Sequence, residues 1–143
     1  MKKKFKLKEM QKFSIELDVR DYELDVQGIV NNSVYQNYLE HARHEFLHHH
    51  GVDFVEFAQN NIMLMVKTIE MNFKSSLVSR DKFNIVVHAE KEGNLKVVFH
   101  QNIIKLSDNK PVLSAKVTGV AIKNGRPVAP DTIPQIESFI SSN

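Results

Sequence analysis

Residues 33–51, SVYQNYLEHARHEFLHHHG, decide the fold. Apolar side chains recur there at the spacing of one helical face: Val34, Tyr35, Tyr38, Leu39, Ala42, Phe46 and Leu47. Ser33 with Gln36 three residues later is a capping-box pattern, and Gly51 is typical of the position just after a helix end. The stretch therefore predicts one long helix that begins near residue 33 and ends before Gly51.

The segments on either side of this helix alternate apolar and polar side chains, which is typical of half-buried strands. Alternation covers residues 13–19 and, after a short helix expected at about 52–59, segments near 62–73, 83–89, 95–103 and 113–121. Turn residues such as Glu92-Gly93-Asn94 separate the later segments, so we expect consecutive strands to pair as an antiparallel meander. The predicted fold class is α+β, a five-stranded antiparallel sheet wrapped around one long central helix.

Composition excludes several classes of function. The 143 residues include no cysteine, which excludes disulfide frameworks, cysteine-ligated zinc and thiol catalysis. No apolar run is long enough to span a membrane, and none follows the basic start as in a secretory signal, so we expect a cytoplasmic protein. The net charge is +2, with five lysines in the first eight residues, and without them 14 basic residues face 17 acidic ones. This argues against nucleic-acid binding.

We expect one domain over residues 1–143, with residues 1–12 as a flexible basic arm.

The segment DVQGIVNNSVY, residues 25–35, combines a carboxylate with the start of the helix. Asp25 lies in a turn-like stretch seven residues before the helix N-terminus, where the first N–H groups have no partner within the helix. Such N–H groups can stabilise an oxyanion, and a nearby carboxylate can attack a carbonyl or activate water. The pair would suffice for thioester hydrolysis without serine, cysteine or metal. The alternative is that Asp25 only caps a turn.

A second segment, His44-Glu45-Phe46-Leu47-His48, is a literal H-E-x-x-H. On a helix this motif places two imidazoles one turn apart to hold zinc, with the glutamate as general base. Five of the seven histidines lie within residues 41–50, so a chance match is easy, and no third ligand follows at a known spacing. We therefore predict no metal site and keep the zinc hydrolase as a minor alternative.

A family resemblance rests on the motif Asp25-x-x-Gly28-Ile29-Val30-Asn31-Asn32-x-x-Tyr35 and on Glu40, Ala42 and Arg43 in the helix after it. The chain resembles the hotdog-fold acyl-CoA thioesterases, in particular the 4-hydroxybenzoyl-CoA thioesterase-like family. Residues 19–25 and 30–32 also resemble plant plastid acyl-lipid thioesterases of the same superfamily. The resemblance covers most of the chain and implies the hotdog fold.

The resemblance also implies an activity, which is hydrolysis of an acyl-CoA or acyl-carrier protein thioester. Asp25 falls on the catalytic aspartate, and Asn32 falls where a backbone N–H polarises the thioester carbonyl. Four residues would shape the substrate site around them: Gly28, Val30, Asn31 and Tyr35. No cofactor is implied, since coenzyme A is part of the substrate, and the expected assembly is a homodimer that pairs further into a tetramer. Basic candidates for the CoA phosphates are Lys74, Arg80, Lys82, Lys91 and Lys96.

The chain departs from its relatives inside the motif. Ile29 stands where many relatives have histidine, and Gln27 and Ile29 stand where the plant enzymes have asparagine and histidine. The implied mechanism therefore depends on the aspartate alone, with Glu40 of the helix as a weaker second candidate. The loss of the histidine also fits a different class of protein, a non-catalytic hotdog module that binds acyl-CoA.

Overall fold

The fold is one antiparallel sheet curled around a long helix. In a computed structural model, which describes residues 13–140, the strands are β1 (Phe13–Asp18), β2 (Ile62–Phe73), β3 (Lys82–Glu92), β4 (Lys96–Lys105), β5 (Pro111–Lys123) and β6 (Arg126–Val128). The helices are α1 (Asn32–His49), α2 (Phe54–Gln59) and α3 (Pro134–Ile140). The predicted α+β hotdog architecture is confirmed, and the predicted arm at residues 1–12 lies outside the described residues. No helix within residues 13–140 is both long and apolar enough to cross a membrane.

Helix α1 has the caps that its sequence requires. It begins at Asn32, as predicted, but the capping residue is Asn31 and not Ser33: the Asn31 side-chain oxygen accepts the Ser33 N–H at 3.1 Å. Gly51 follows the C-terminus with a φ of +84°, a conformation that glycine adopts without strain. The buried face is the predicted apolar stripe with one charged member, Arg43.

The strand order corrects the predicted meander. The order is β1-β3-β4-β5-β2, and β6 pairs with the end of β5. Strands β3, β4 and β5 form the expected consecutive hairpins, but β2 pairs with β5 instead of β3. Alternation of side chains shows that a segment is a strand and which face is buried, but it does not encode the partner. Residues 74–81 carry the chain from β2 to β3, and β2 is left as a twelve-residue edge strand.

The core lies between α1 and the inner face of the sheet. The Phe83 ring of β3 lies 4.8 Å from the Tyr38 ring, and the Phe99 ring of β4 lies 6.0 Å from the Phe46 ring. Helix α3 closes one end of this layer through Phe139, whose ring is 5.2 Å from that of Phe46. These aromatic pairs fix the helix over the centre of the sheet, with its N-terminus near the loop that contains Asp25.

A bulge at Lys67 interrupts β2. Register with β5 shifts there, so the residues facing α1 are even-numbered before the bulge and odd-numbered after it. Gly119 of β5 pairs beside the bulge, where a Cβ atom would lie 3.0 Å from the Met65 backbone oxygen. The inner face of the second half of β2 therefore consists of Ile69, Met71 and Phe73.

Candidate active site

A tight loop closes between Asp25 and Ile29, three residues before the start of α1. The Asp25 N–H donates to the Ile29 carbonyl at 2.8 Å, and the Gly28 N–H donates to the Asp25 carbonyl at 3.0 Å. Gly28 has a φ of +79°, which explains a glycine at this position. Leu24 and Val30 pair as an antiparallel bridge at the base of the loop. The loop is thus closed on itself, and its end leads directly into the helix.

The Asp25 carboxylate is half-buried and is partly used by its own turn. Its Oδ1 accepts the Gln27 N–H at 2.8 Å and the Ile29 N–H at 3.4 Å. Within residues 13–140, Oδ2 has no hydrogen-bond partner. One oxygen therefore has the turn-capping role that the sequence left open, and the other remains available for chemistry.

Among the described residues, one N–H donor in the first turn of α1 has no acceptor. The Ser33 N–H donates to the Asn31 side chain, and the Val34 N–H donates to the Asn31 carbonyl at 2.9 Å. The Asn32 N–H has no acceptor among the described residues. A free donor at the positive end of the helix dipole is suited to a carbonyl oxygen or an oxyanion.

A cavity of about 240 Å³ lies at this helix end. Its lining consists of Ile29, Val30, Asn32, Tyr35, Phe73, Lys74, Ser75 and Ser76. Three of the predicted site residues, Val30, Asn32 and Tyr35, are among them. Asp25, Gly28 and Asn31 are not in this lining: Asp25 and Gly28 form the adjacent turn, and Asn31 caps the helix.

The opposite wall of the cavity, residues 73–76, is a part of the site that the sequence did not indicate. It is about 40 residues away along the chain and is brought close by backbone and ring contacts. The Val30 N–H donates to the Leu77 carbonyl at 3.0 Å, and the Tyr35 ring lies 5.6 Å from the Phe73 ring. Among the five basic candidates, Lys74 is the one that lines the cavity, while Lys91 pairs with Asp131 at 3.0 Å.

Buried hydroxyl groups anchor the loop and the wall to α1. The Tyr35 hydroxyl accepts the Leu77 N–H at 3.3 Å, and burial raises the pKa of Tyr35. The Tyr38 hydroxyl donates to Glu23, a carboxylate that is also buried. The Glu23 backbone carbonyl accepts the Asn31 N–H at 3.1 Å, so the loop and the helix cap form one hydrogen-bonded unit. No local pattern predicts this role, because Glu23 lies in a polar turn-like segment.

The H-E-x-x-H residues lie elsewhere, at the C-terminal end of α1. His44, Glu45 and His48 line a separate open cavity of about 550 Å³. His44 lies 3.8 Å from Glu40 and its ring contacts Phe54, with 5.2 Å between centroids. Within residues 13–140, no group of three or more His, Asp or Glu side chains is arranged to hold a metal ion. The geometry of the described part of the chain gives the zinc alternative no third ligand.

Comparison with known proteins identifies the family. Residues 19–138 match the model of the thioesterase-like superfamily. The chain is 42% identical over 115 residues to the acyl-acyl carrier protein thioesterase ATL3, chloroplastic, of Arabidopsis thaliana, which covers 80% of this chain and 60% of the plant protein. It is 29% identical over 107 residues to the long-chain acyl-CoA thioesterase FadM of Escherichia coli, covering 75% of this chain and 80% of that protein.

The fold agrees with these matches. The crystal structure of the probable thioesterase YbaW from Escherichia coli superposes with a TM-score of 0.78 at 26% identity, covering 89% of this chain and 98% of that one. The chain spans about three fifths of the length of the plant relatives that it matches. Sequence and fold together place it in one family: this chain belongs to the thioesterase-like superfamily.

Proposed function

We propose that this chain hydrolyses acyl thioesters, of coenzyme A or of an acyl-carrier protein, to the free acid and the thiol. The observation that carries the proposal is the Asn32 N–H at the start of α1, which has no acceptor within residues 13–140 and lies on a cavity walled by Tyr35 and Phe73. The names of the plant and bacterial relatives, which are thioesterases acting on acyl-carrier protein and acyl-CoA respectively, support the same reaction.

In the proposed mechanism, the thioester carbonyl oxygen accepts the Asn32 N–H, which stabilises the negative charge that develops there. Asp25 Oδ2 either removes a proton from an attacking water or attacks the carbonyl carbon itself. In the first case the tetrahedral intermediate expels the thiolate directly. In the second case the thiolate leaves a mixed anhydride on Asp25, which a water then hydrolyses. Both routes release one acid and one thiol per water consumed.

The carrier end of the substrate would lie along the residue 73–76 wall. Lys74 is exposed and is the one basic residue in the described cavity lining, so its ammonium group can pair with a phosphate of coenzyme A or of the carrier's prosthetic group. Gly28, Val30, Asn31 and Tyr35 would support the reacting end, as the family resemblance implies. Coenzyme A enters as part of the substrate and not as a resident cofactor.

The functional unit would be a homodimer that pairs further into a tetramer. Strand β2 supports this assembly because it has one partner, β5, and its other backbone edge is unpaired within residues 13–140. A long unpaired apolar edge is a template for pairing with a second copy. Met63, Met65 and Val66 on this strand are each 45–50% exposed, which such pairing would reduce.

The test is release of thiol from octanoyl-CoA by the wild type and by Asp25→Asn. Asparagine keeps an Oδ1 acceptor for the Gln27 and Ile29 N–H groups, so the loop should be retained while the charge is lost. We expect kcat of this variant to fall by about 100-fold or more, while the midpoint of thermal unfolding stays unchanged. Asp18→Asn is the matched control, because Asp18 is exposed at the end of β1 and does not line the cavity, and it should retain activity. Near-full activity of Asp25→Asn would remove Asp25 from the mechanism.

A second candidate is the acyl-binding module without catalysis. It is favoured by one observation: Asp25 is not in the described lining of the cavity, and its Oδ1 is used by its own turn. Calorimetry with octanoyl-CoA separates the two candidates. Binding without thiol release by the wild type would support the module, whereas turnover would exclude it.

A further inference from the structure

The inner face of the second half of β2 is apolar but only partly covered. It consists of Ile69, Met71 and Phe73, which we call the edge strip. Ile69 and Phe73 are 39% and 47% exposed, and Met71, which packs against the core, is half-buried between them. All three side chains lack charged and hydrogen-bonding groups, so the strip is a surface for an apolar ligand.

The neighbouring strand shows where the cover of the sheet ends. The residues of the edge strip pair in order with Val117, Ala115 and Leu113 of β5, and residues paired in this way point to the same face of a sheet. All three partners on β5 are buried. The core layer therefore covers β5 and leaves the next strand open. An exposed apolar surface of this kind, on the side of the sheet where the core lies, is typical of a ligand groove.

The edge strip begins at the proposed active site. Phe73 lines the cavity at the start of α1 together with Asn32. Lys74, the candidate partner of a carrier phosphate, follows Phe73 in the sequence, whereas the rest of the edge strip precedes it. The acyl end and the carrier end of a thioester held at Asn32 would therefore leave Phe73 in opposite directions along the chain.

The edge strip runs back along the helix. Helix α1 begins at the cavity, α2 connects its far end to the start of β2, and β2 returns to the cavity at Phe73. Ile69 lies four residues before Phe73, which is about 13 Å along a strand. An extended hydrocarbon chain of roughly ten carbons, with bonds of about 1.5 Å in a zigzag, covers a similar distance. The strip is thus long enough for a whole aliphatic chain and longer than a single aromatic ring.

We propose that the edge strip binds the acyl chain and that Ile69 is the residue that recognises its far end, so that the preferred substrates are thioesters of unbranched aliphatic acids of roughly ten carbons. The inference rests on the proposed thioesterase function and names the substrate class of that same site. A butanoyl chain or a benzoyl ring ends before Ile69 and leaves its side chain in water.

The expected preference follows from the area of hydrocarbon that is buried. Burial of one methylene group is worth about fourfold in an equilibrium constant, or about twofold where one side of the chain is covered. Decanoyl-CoA has six methylene groups more than butanoyl-CoA. We therefore expect kcat/KM of the wild type to be about 60-fold higher for decanoyl-CoA than for butanoyl-CoA, with benzoyl-CoA close to butanoyl-CoA.

The experiment measures thiol release from these three thioesters by the wild type and by Ile69→Asp. A carboxylate at the far end of the strip should lower the decanoyl-to-butanoyl ratio of kcat/KM by tenfold or more, mainly through KM of decanoyl-CoA. Activity on butanoyl-CoA should be retained, because its chain does not reach Ile69. Thr68→Asp is the matched control: Thr68 is the adjacent exposed residue on the opposite face of the strand, and the ratio should not change.

Ile69→Ala is a second variant, which keeps the inference testable if Ile69→Asp does not fold. It removes three carbon atoms without adding a charge, and the ratio should fall by threefold or more. A wild-type ratio near one would overturn the inference, as would a ratio that neither variant lowers or an equal loss of activity on both substrates. A change of assembly in Ile69→Asp with the ratio intact would show that a second copy covers the strip, and it would overturn the inference too.

Failure of the proposed function gives a different result, which is that the wild type hydrolyses none of the three thioesters. Calorimetry then tests the edge strip by itself. The wild type should bind decanoyl-CoA more tightly than butanoyl-CoA, and Ile69→Asp should remove most of this difference. Equal affinities of the wild type for the two thioesters would overturn the inference in that case.

Discussion

The Tyr38 hydroxyl donates a 2.8 Å hydrogen bond to Glu23 Oε1, and both side chains are buried. The same oxygen accepts the Arg20 N–H at 2.7 Å. One carboxylate thus joins the middle of α1 to the loop that precedes it. Because the Glu23 carbonyl also accepts the Asn31 N–H, the position of the Asp25 loop depends on this buried carboxylate.

Tyr38→Phe should destabilise the fold, because it removes a donor from a buried charged acceptor. Loss of a hydrogen bond to a charged group costs about 1.5–3 kcal/mol of unfolding free energy. Urea unfolding of the wild type and the variant measures the difference. Tyr22→Phe is the matched control, since Tyr22 is 80% exposed, and it should change the free energy little. Equal stability of all three proteins would show that the bond contributes nothing.

The same bond makes the free energy of unfolding depend on pH in the alkaline range. Burial, and then the hydrogen bond to Glu23, raise the pKa of Tyr38 well above the ordinary value of 10.0. The hydrogen bond therefore contributes fully to the free energy of unfolding below about pH 10. The contribution is lost as the pH rises from there, because the tyrosine ionises in the unfolded state while it stays protonated in the folded state. The wild type should lose stability above pH 10 more steeply than Tyr38→Phe. Parallel pH profiles of the two proteins would contradict this assignment.

Gly28→Ala should affect both stability and activity, whereas Gly93→Ala should affect stability alone. Both glycines have positive φ, +79° and +63°, and neither would bring a Cβ within 4 Å of another residue. The cost is therefore backbone strain, about 1–2 kcal/mol in each case. Gly28 closes the Asp25 turn, so strain there should redirect the carboxylate and lower kcat. Thermal unfolding and thiol-release assays of both variants test this prediction. Equal kcat values for the two variants would show that the Gly28 turn does not position a catalytic group.

Met65→Lys should weaken the proposed dimer. Met65 lies on edge strand β2, where pairing of two copies would place charged side chains in or beside the new interface. Leu95→Lys is the control, because Leu95 is similarly exposed, at 42% against 45%, but lies in the turn between β3 and β4. Sedimentation equilibrium should show a larger dissociation constant for Met65→Lys and an unchanged one for Leu95→Lys. If both variants keep the wild-type mass, β2 is not the interface.

The sequence predicted the features that follow from the local spacing of apolar residues. Residues 34–47 predicted α1 because burial on a helix repeats every three to four residues, and the structure confirms that face. Alternation predicted the strands but not that β2 pairs with β5, because the partner depends on how residues 74–81 cross the fold. For the site, the motif contained Val30, Asn32 and Tyr35. The wall at Phe73–Ser76 comes from tertiary contacts, which no local pattern encodes.

The bulge at Lys67 divides β2 into two halves: the side chains that face α1 are even-numbered in the first half and odd-numbered in the second. Flattening this bulge with all residues of the strand kept would restore unbroken pairing, but it would turn every side chain of one half to the other face. Either the outward-facing methionines of the first half would then point at the helix, or the phenylalanine of the second half would point away from it. Chimeras that exchange this strand with a relative should therefore be aligned on the bulge, since alignment by apolar pattern alone would invert half of the transplanted segment.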